Sequence, residues 1–204
     1  YANTCVTFLA LALDRCADLN NALCRWDSSA AGQRIKNLFG RQAIPMTWDF
    51  AECNPFSSST GNWTAMVDWV RKAVEHLPAT TPGSVVQRDA RARVAESQGA
   101  MISTDPPYYD SVPYSDISDF FYVWLRKNLG GIWPDECATL LTPKSDELVA
   151  DVRRYGSREG ASEHFESGMA ELMSAVAQAQ SDDAPATIYY AYKATETADG
   201  AIRS

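Results

Sequence analysis

Thr104-Asp105-Pro106-Pro107-Tyr108-Tyr109-Asp110 is the stretch around which the rest of the chain is read. The apolar run Gly99-Ala100-Met101-Ile102-Ser103 leads into it, and an aromatic amphipathic segment, Tyr114 to Asn128, follows. The apolar run predicts a short strand with Asp105 at its carboxyl end. Two successive prolines then remove two backbone donors and stiffen the chain where a sheet would still use hydrogen bonds. Their carbonyls remain, held in a fixed direction beside an acidic side chain and an aromatic ring. Such a group suits a flat substrate with hydrogen-bonding edges. A proline-rich loop joining strand to helix is the competing reading, and the flanking sequence has to separate the two.

Downstream, Ile117, Phe120, Phe121, Trp124 and Leu125 recur at helical spacing from Ser115, and Gly130-Gly131 ends that helix. Ile132 to Gly156 reads as an irregular insertion with prolines and mixed charge. A further helix carries Phe165, Met169, Leu172, Met173 and Val176 inward, and Pro185 introduces a strand, Ala186 to Tyr192. Upstream, Cys5, Phe8, Leu9, Ala12, Leu13, Cys16 and Leu19 form one stripe of an amphipathic helix that Asn20-Asn21 stops. Gln33 to Phe39 is a short helix-like piece closed by Gly40. Asn62 can cap a helix whose face is Trp63, Met66, Val67, Val70, Ala73, Val74 and Leu77, with Pro78 as terminator. Ser84 to Gln87 is a strand candidate followed by Asp89. Helices alternating with short apolar strands predict a mostly parallel α/β sheet flanked by helices. Ligands of such sheets bind outside the carboxyl ends of the strands, where Asp89 and Asp105 are both expected.

Between the first two helices lies Pro45-Met46-Thr47-Trp48-Asp49-Phe50-Ala51-Glu52-Cys53-Asn54-Pro55-Phe56, aromatic yet without helical or strand period. It predicts an ordered loop, whose aromatics either pin it to the core or meet a ligand. Asn54-Pro55-Phe56 lacks a second proline and a preceding strand, so it reads as structural.

With 204 residues, 46% hydrophobic and 22% charged, the chain can bury a core within one domain. No apolar run is long enough to cross a bilayer and no signal peptide is visible, so no membrane partner is expected. The five cysteines are scattered and there are only two histidines, which leaves no metal site to expect. An odd number of thiols without a secretion signal points to a reducing, cytoplasmic setting. A net charge of −8 argues against a broad nucleic-acid-binding face. Local basic groups exist at Arg34, Lys36 and Arg41, and at Arg153, Arg154 and Arg158, with solvated surface as the default reading. The chain starts at Tyr1 within a helical pattern and ends in a polar stretch, Thr195 to Ser204, so a piece of a longer protein is expected.

Asp105-Pro106-Pro107-Tyr108 after a strand resembles the catalytic motif of amino-group DNA methyltransferases of the adenine-N6 type. Taken with Trp26, the Met46-Thr47-Trp48-Asp49-Phe50 loop, Asn54-Pro55-Phe56 and the run Thr104 to Arg126, the chain is similar to the adenine-specific DNA methylases that carry a zinc-ribbon. The resemblance covers nearly the whole chain. It implies a partial Rossmann-like S-adenosylmethionine-dependent methyltransferase fold: a single truncated catalytic domain over 1–204, with an N-terminal helix and ordered loops over 1–60 and an α/β core portion over 61–204. It also implies methyl transfer from S-adenosylmethionine to the exocyclic N6 amine of an adenine flipped out of DNA.

In that reading Asp105 and the Pro106 carbonyl accept the amine's two N–H bonds, Pro107 keeps the turn rigid, and Tyr108 stacks on the base. Tyr109, Asp110 and Tyr114 are further base-pocket candidates. Asp89 would meet the cofactor's adenine, unless it serves as a helix cap. The family's glycine-rich cofactor loop and zinc-ribbon cysteines are absent from the sequence, so weak or no transfer is expected of this chain alone. Cytosine-N4 or RNA amino-methylation, or a catalytically silent nucleic-acid-binding or assembly module, are the alternatives.

Overall fold

The computed structural model describes residues 1–78, 80–110, 112–190, 195–196 and 202–203. Its elements in order are α1 (Ala2–Leu19), β1 (Arg25–Asp27), β2 (Arg34–Lys36), α2 (Trp63–His76), α3 (Ala90–Ala95), β3 (Ser103–Thr104), α4 (Tyr114–Leu129), α5 (Val152–Tyr155), α6 (Arg158–Ala179), β4 (Thr187–Ile188), β5 (Thr195–Glu196) and β6 (Ile202–Arg203). The described strands pair as β1–β2 antiparallel, β3–β4 parallel and β5–β6 antiparallel. The architecture is therefore mixed helix and small two-stranded sheets. No helix among the described residues is long and apolar enough to cross a membrane.

The chain divides into two units, each built from two separate segments: Tyr1–Val85 with Tyr114–Lys144, and Val86–Pro113 with Ser145–Ser204. In the first, α1 packs on both α2 and α4. The core holds Ala12, Cys16 and Met66, flanked by Leu19, Trp63, Val67 and Val70. Burying a side chain the size of Met66 contributes about 2 kcal/mol. Having two helical neighbours widens the buried arc of α1, so Ala10 is buried although it lies outside the expected stripe, while Leu9 stays exposed. Asn62 caps α2 as its sequence position predicts, its Oδ1 accepting from the Ala65 N–H at 2.8 Å. The Arg15 guanidinium lies over the Trp69 ring of α2, 5.1 Å from its centre.

The segment Gln33 to Phe39 is a strand and a pinned turn, not a helix. Asp18 of α1 takes three backbone or amide donors from it. Its carbonyl accepts from Leu38 N–H (2.8 Å), and its carboxylate from Phe39 N–H (3.1 Å) and Asn37 Nδ2 (3.0 Å). With those donors engaged and Ile35 paired across to Trp26, no i→i−4 ladder can form. The Ile35, Leu38, Phe39 spacing instead seats Leu38 in the core and sets Phe39 against Phe120 and Phe121 of α4, at 5.5 and 5.2 Å between ring centres.

In the second unit, α3 and α5 pack on α6. Its core is Leu148, Ala150, Ala161 and Phe165, with Tyr155 and Met169 against it. Asp151 caps α5 through the Arg153 N–H (2.9 Å), and Ser157 caps α6 through the Gly160 N–H (3.0 Å). Gly156 between them sits at φ 76, the left-handed conformation that lets one helix stop and the next begin within two residues. Gly168 of α6 faces Leu148 so closely that a Cβ would overlap the leucine side chain. Ser84 to Gln87, expected as a strand, pairs with no strand among the described residues: Val85 is 97% exposed and offers no apolar face to a sheet. Of the strand expected over Ala186 to Tyr192, Thr187–Ile188 is present, and Ala191 and Tyr192 lie outside the described residues.

Two predictions concern stability. Asp14 of α1 has a buried Oδ1 with no partner among the described residues, and desolvation pushes its carboxyl up to about 7. A carboxyl whose folded pKa is raised favours the protonated native state. Its contribution is therefore most favourable below about pH 4 and is lost as pH rises to about 7. The full shift corresponds to about 4 kcal/mol, and partial exposure of the side chain reduces this to the order of 1–2 kcal/mol. Asp14→Asn is expected to stabilise the protein by that amount at pH 8 and to leave it unchanged at pH 4, measured by urea unfolding at the two pH values. Gly168→Ala is expected to destabilise by about 1 kcal/mol. Overpacking against Leu148 costs about 1–3 kcal/mol and outweighs the ~1 kcal/mol that alanine gains in a helix; a lowered urea midpoint at unchanged slope is the readout.

Candidate functional site

The parallel pair β3–β4 positions the proline motif. Ile102 accepts from Thr187 N–H and Thr104 accepts from Tyr189 N–H, both at 2.9 Å, with Ser103 opposite Thr187 and Thr104 opposite Ile188. A parallel bridge, Ala100 to Gln180, starts the same alignment upstream. Asp105 is the first residue past the last rung. Pro106 and Pro107 have no N–H to continue the ladder, so the chain leaves the sheet here. Pro106 is buried, Pro107 and Tyr108 are half-buried, and Asp105 is exposed.

The four motif residues fold onto one another. Tyr108 donates its hydroxyl to Asp105 Oδ1 at 2.7 Å, and its ring meets Tyr190 edge-on, 5.5 Å between centres at 86°. Asp105 forms no ion pair among the described residues, and nothing among them donates to the Pro106 carbonyl. The turn therefore leaves carboxylate oxygen and a rigid main-chain carbonyl as acceptors beside a tyrosine ring.

Tyr109 holds this turn to the second unit's core. Its carbonyl accepts from Ala150 N–H (2.9 Å), its hydroxyl donates to Ser162 Oγ (3.0 Å), and its ring meets Phe165 edge-on at 5.1 Å. These contacts keep Tyr109 at φ 30, a left-handed conformation that costs a bulky residue about 1–3 kcal/mol. Strain of this kind persists where surrounding contacts over-determine the backbone. Asp110 is exposed at the end of the turn. Tyr114 opens α4 and belongs to the first unit, half of its surface exposed.

Asp89 lies in a loop, two residues before Arg91. It accepts from the Arg91 N–H at 2.9 Å and from the Arg91 guanidinium at 2.6 to 3.1 Å, which caps the first turn of α3. The hydrogen bonds from Arg91 outweigh desolvation and hold its carboxyl below the usual range. Arg91 also reaches Glu171 of α6 at 3.0 Å. The short spacing Asp89-Ala90-Arg91 was the sequence signal for this pairing. Tyr190, which meets Tyr108, had a weaker one: its place just past β4, the strand paired with β3.

The loop over Pro45 to Phe56 does not bury its aromatics. Met46 is 84% and Trp48 90% exposed, and Phe50 and Phe56 are also open to solvent. Asn54-Pro55-Phe56 is structural, as its sequence implies: Asn54 Oδ1 accepts from Phe56 N–H (3.0 Å), and Pro55 accepts from Trp63 N–H at the start of α2 (2.7 Å). The basic residues Arg153 and Arg154 are engaged by Asp151 and Glu147 at 2.6 and 2.8 Å. Among the described residues no three His, Cys, Asp or Glu side chains are grouped so as to hold a metal ion.

No protein-family model, curated protein or solved structure matches the chain.

Proposed function

We propose that the Asp105-Pro106-Pro107-Tyr108 turn is the base-binding half of an adenine-N6 DNA methyltransferase site on a Rossmann-like scaffold, with S-adenosylmethionine as methyl donor. One observation carries the reading: the turn leaves the end of a parallel strand pair with the Asp105 carboxylate unpaired by any described cation and the Pro106 carbonyl accepting from no described donor. An exocyclic amine offers two N–H bonds, and these two acceptors match them in number and type. An amine conjugated to a purine ring is a weak nucleophile, because its lone pair is delocalised. Accepting both N–H bonds orients that lone pair and raises electron density on nitrogen.

Tyr108 contributes a ring on which an extruded base can stack, replacing part of the stacking lost on leaving the duplex. Its hydroxyl occupies Asp105 Oδ1 and fixes the carboxylate plane, so that Oδ2 is the oxygen left for the amine. Pro107 and the strained Tyr109 keep the turn rigid, and Asp110 is a candidate for the base pocket. Rigidity favours the reaction, because the acceptors then need no reorganisation as charge develops.

The chain's residues do not by themselves fit the methyl donor. Among the described residues no glycine loop joins a strand to a helix, and the Asp89 carboxylate is occupied by Arg91. What they fit is the methyl acceptor, so the primary test reads acceptor recognition. Oligothymidylate carrying one central adenine is compared with the same strand carrying one purine that lacks the 6-amino group. Adenine is expected to bind about tenfold more tightly, a preference that Asp105→Ala abolishes. Tyr108→Ala is expected to weaken both strands by about 1–3 kcal/mol of stacking. Equal binding of the two strands, or an adenine preference that survives Asp105→Ala, sinks the assignment. In a methyl-transfer assay with labelled donor, any product is expected as N6-methyladenine and to fall on the order of 100-fold in Asp105→Ala; N4-methylcytosine would overturn the choice of base.

A further inference from the structure

The first unit contains a cleft of about 380 Å³ whose walls include Arg25, Lys36, Arg41, Asn37, Met46 and Thr47 and no carboxylate. Its cations are gathered by the fold. The antiparallel register of β1 and β2 sets Arg25 directly opposite Lys36, so both side chains emerge on the same face of the hairpin. Like charges in that arrangement repel. Lys36 is partly neutralised by Asp27 at 3.1 Å, whereas Arg25 and Arg41 form no ion pair among the described residues and are exposed. Asp18 fixes the remaining wall by holding Asn37, Leu38 and Phe39. In a chain of net charge −8, a cleft without an acidic wall is a local inversion of sign.

Beside these cations stand apolar groups with no partner to cover them. Met46 belongs to the wall and is 84% exposed, and Trp48, next to the wall residue Thr47, is 90% exposed. Cations that track a phosphate backbone, next to an aromatic ring open to stacking, are the two components of single-strand recognition. A duplex would need a broad basic face, which the acidic remainder of the chain opposes. An acidic peptide would use the cations and leave Trp48 uncovered.

We infer that this cleft is a binding site for single-stranded nucleic acid, with backbone phosphates on Arg25, Lys36 and Arg41 and a base stacked on Trp48. The site is separate from the proline turn and does not rest on the methyl-transfer reading, since thymine has no exocyclic amine. It supplies sequence-independent affinity, held by charge and stacking.

The test is fluorescence anisotropy of labelled oligothymidylate with the full chain across a salt series. Three phosphate contacts predict a slope of log K against log salt of roughly −2. Arg25→Ala/Arg41→Ala is expected to bring the slope to about −0.7 and to weaken binding about tenfold at low salt. Both side chains are exposed, so an unchanged circular dichroism spectrum is expected. Trp48→Ala, on an open loop, is expected to weaken binding about tenfold with the slope unchanged. Lys127→Ala on the exposed face of α4 is expected to bind as the parent does. The inference is overturned by unchanged binding in the double variant and in Trp48→Ala, by a duplex of equal length binding as tightly as the single strand, or by polyglutamate of equal charge displacing the strand equally well.

Discussion

Two missing hydrogen-bond donors govern the second unit. Thr104 accepts the last rung of the β3–β4 ladder, and the next two positions able to continue it, beyond Asp105, are prolines. The sheet must end there, and the chain turns with the Pro106 carbonyl accepting from no described donor. The turn is then fastened by its own side chains, Tyr108 to Asp105 within the motif and Tyr109 to Ala150, Ser162 and Phe165 outside it. The outer fastening is strong enough to hold a tyrosine at positive φ. A rigid set of acceptors at a strand end is the consequence, and rigidity makes such a set useful for recognising a flat, amine-bearing base.

A second constraint shapes the first unit, again through a single residue that collects donors. Asp18 sits near the end of α1, and its carbonyl and carboxylate bind the backbone or amide of Asn37, Leu38 and Phe39. That anchorage converts a helix-like sequence into a hairpin strand and a turn, and it builds one wall of the basic cleft. Phe39 is carried at the same time into contact with Phe120 and Phe121. Aromatic pairs of this geometry contribute about 0.5–1.5 kcal/mol each beyond the area they bury. A hydrogen-bond collector and an aromatic cluster thus specify the same local structure.

Much of the helical framework was legible. The helix from Asn62, the aromatic helix after the motif and the helix carrying Phe165 all lie where period and capping place them. The local signals are a repeated apolar face in each, the Asn62 and Ser157 caps of α2 and α6, and Pro78 and Gly130 just beyond α2 and α4. The strand ending at Asp105 was legible for a similar reason, because prolines terminate a ladder whatever surrounds them. Ser84 to Gln87 failed as a strand because β structure depends on a partner, and none among the described residues is paired with it. Gln33 to Phe39 failed as a helix because its apolar spacing satisfies two tertiary contacts, Leu38 in the core and Phe39 on α4, in an extended chain.

By itself, the sequence of this protein determined the positions of α1, α2, α4 and α6 and the place where one strand must end, since caps, periodicity and missing N–H groups act within a few residues. It also named Asp105, Pro106, Pro107 and Tyr108 as a chemical group. Only the tertiary structure decided which acceptors remain free, because that depends on donors brought from elsewhere: Arg91 occupies Asp89, while nothing described occupies the Pro106 carbonyl. It alone decided which charges are spent as well. Arg153 and Arg154 meet Asp151 and Glu147, whereas strand register sets Arg25 opposite Lys36 in a cleft that Arg41 also lines. A charge acts through the distance to its neighbours, and distances between remote residues exist only once the chain has folded.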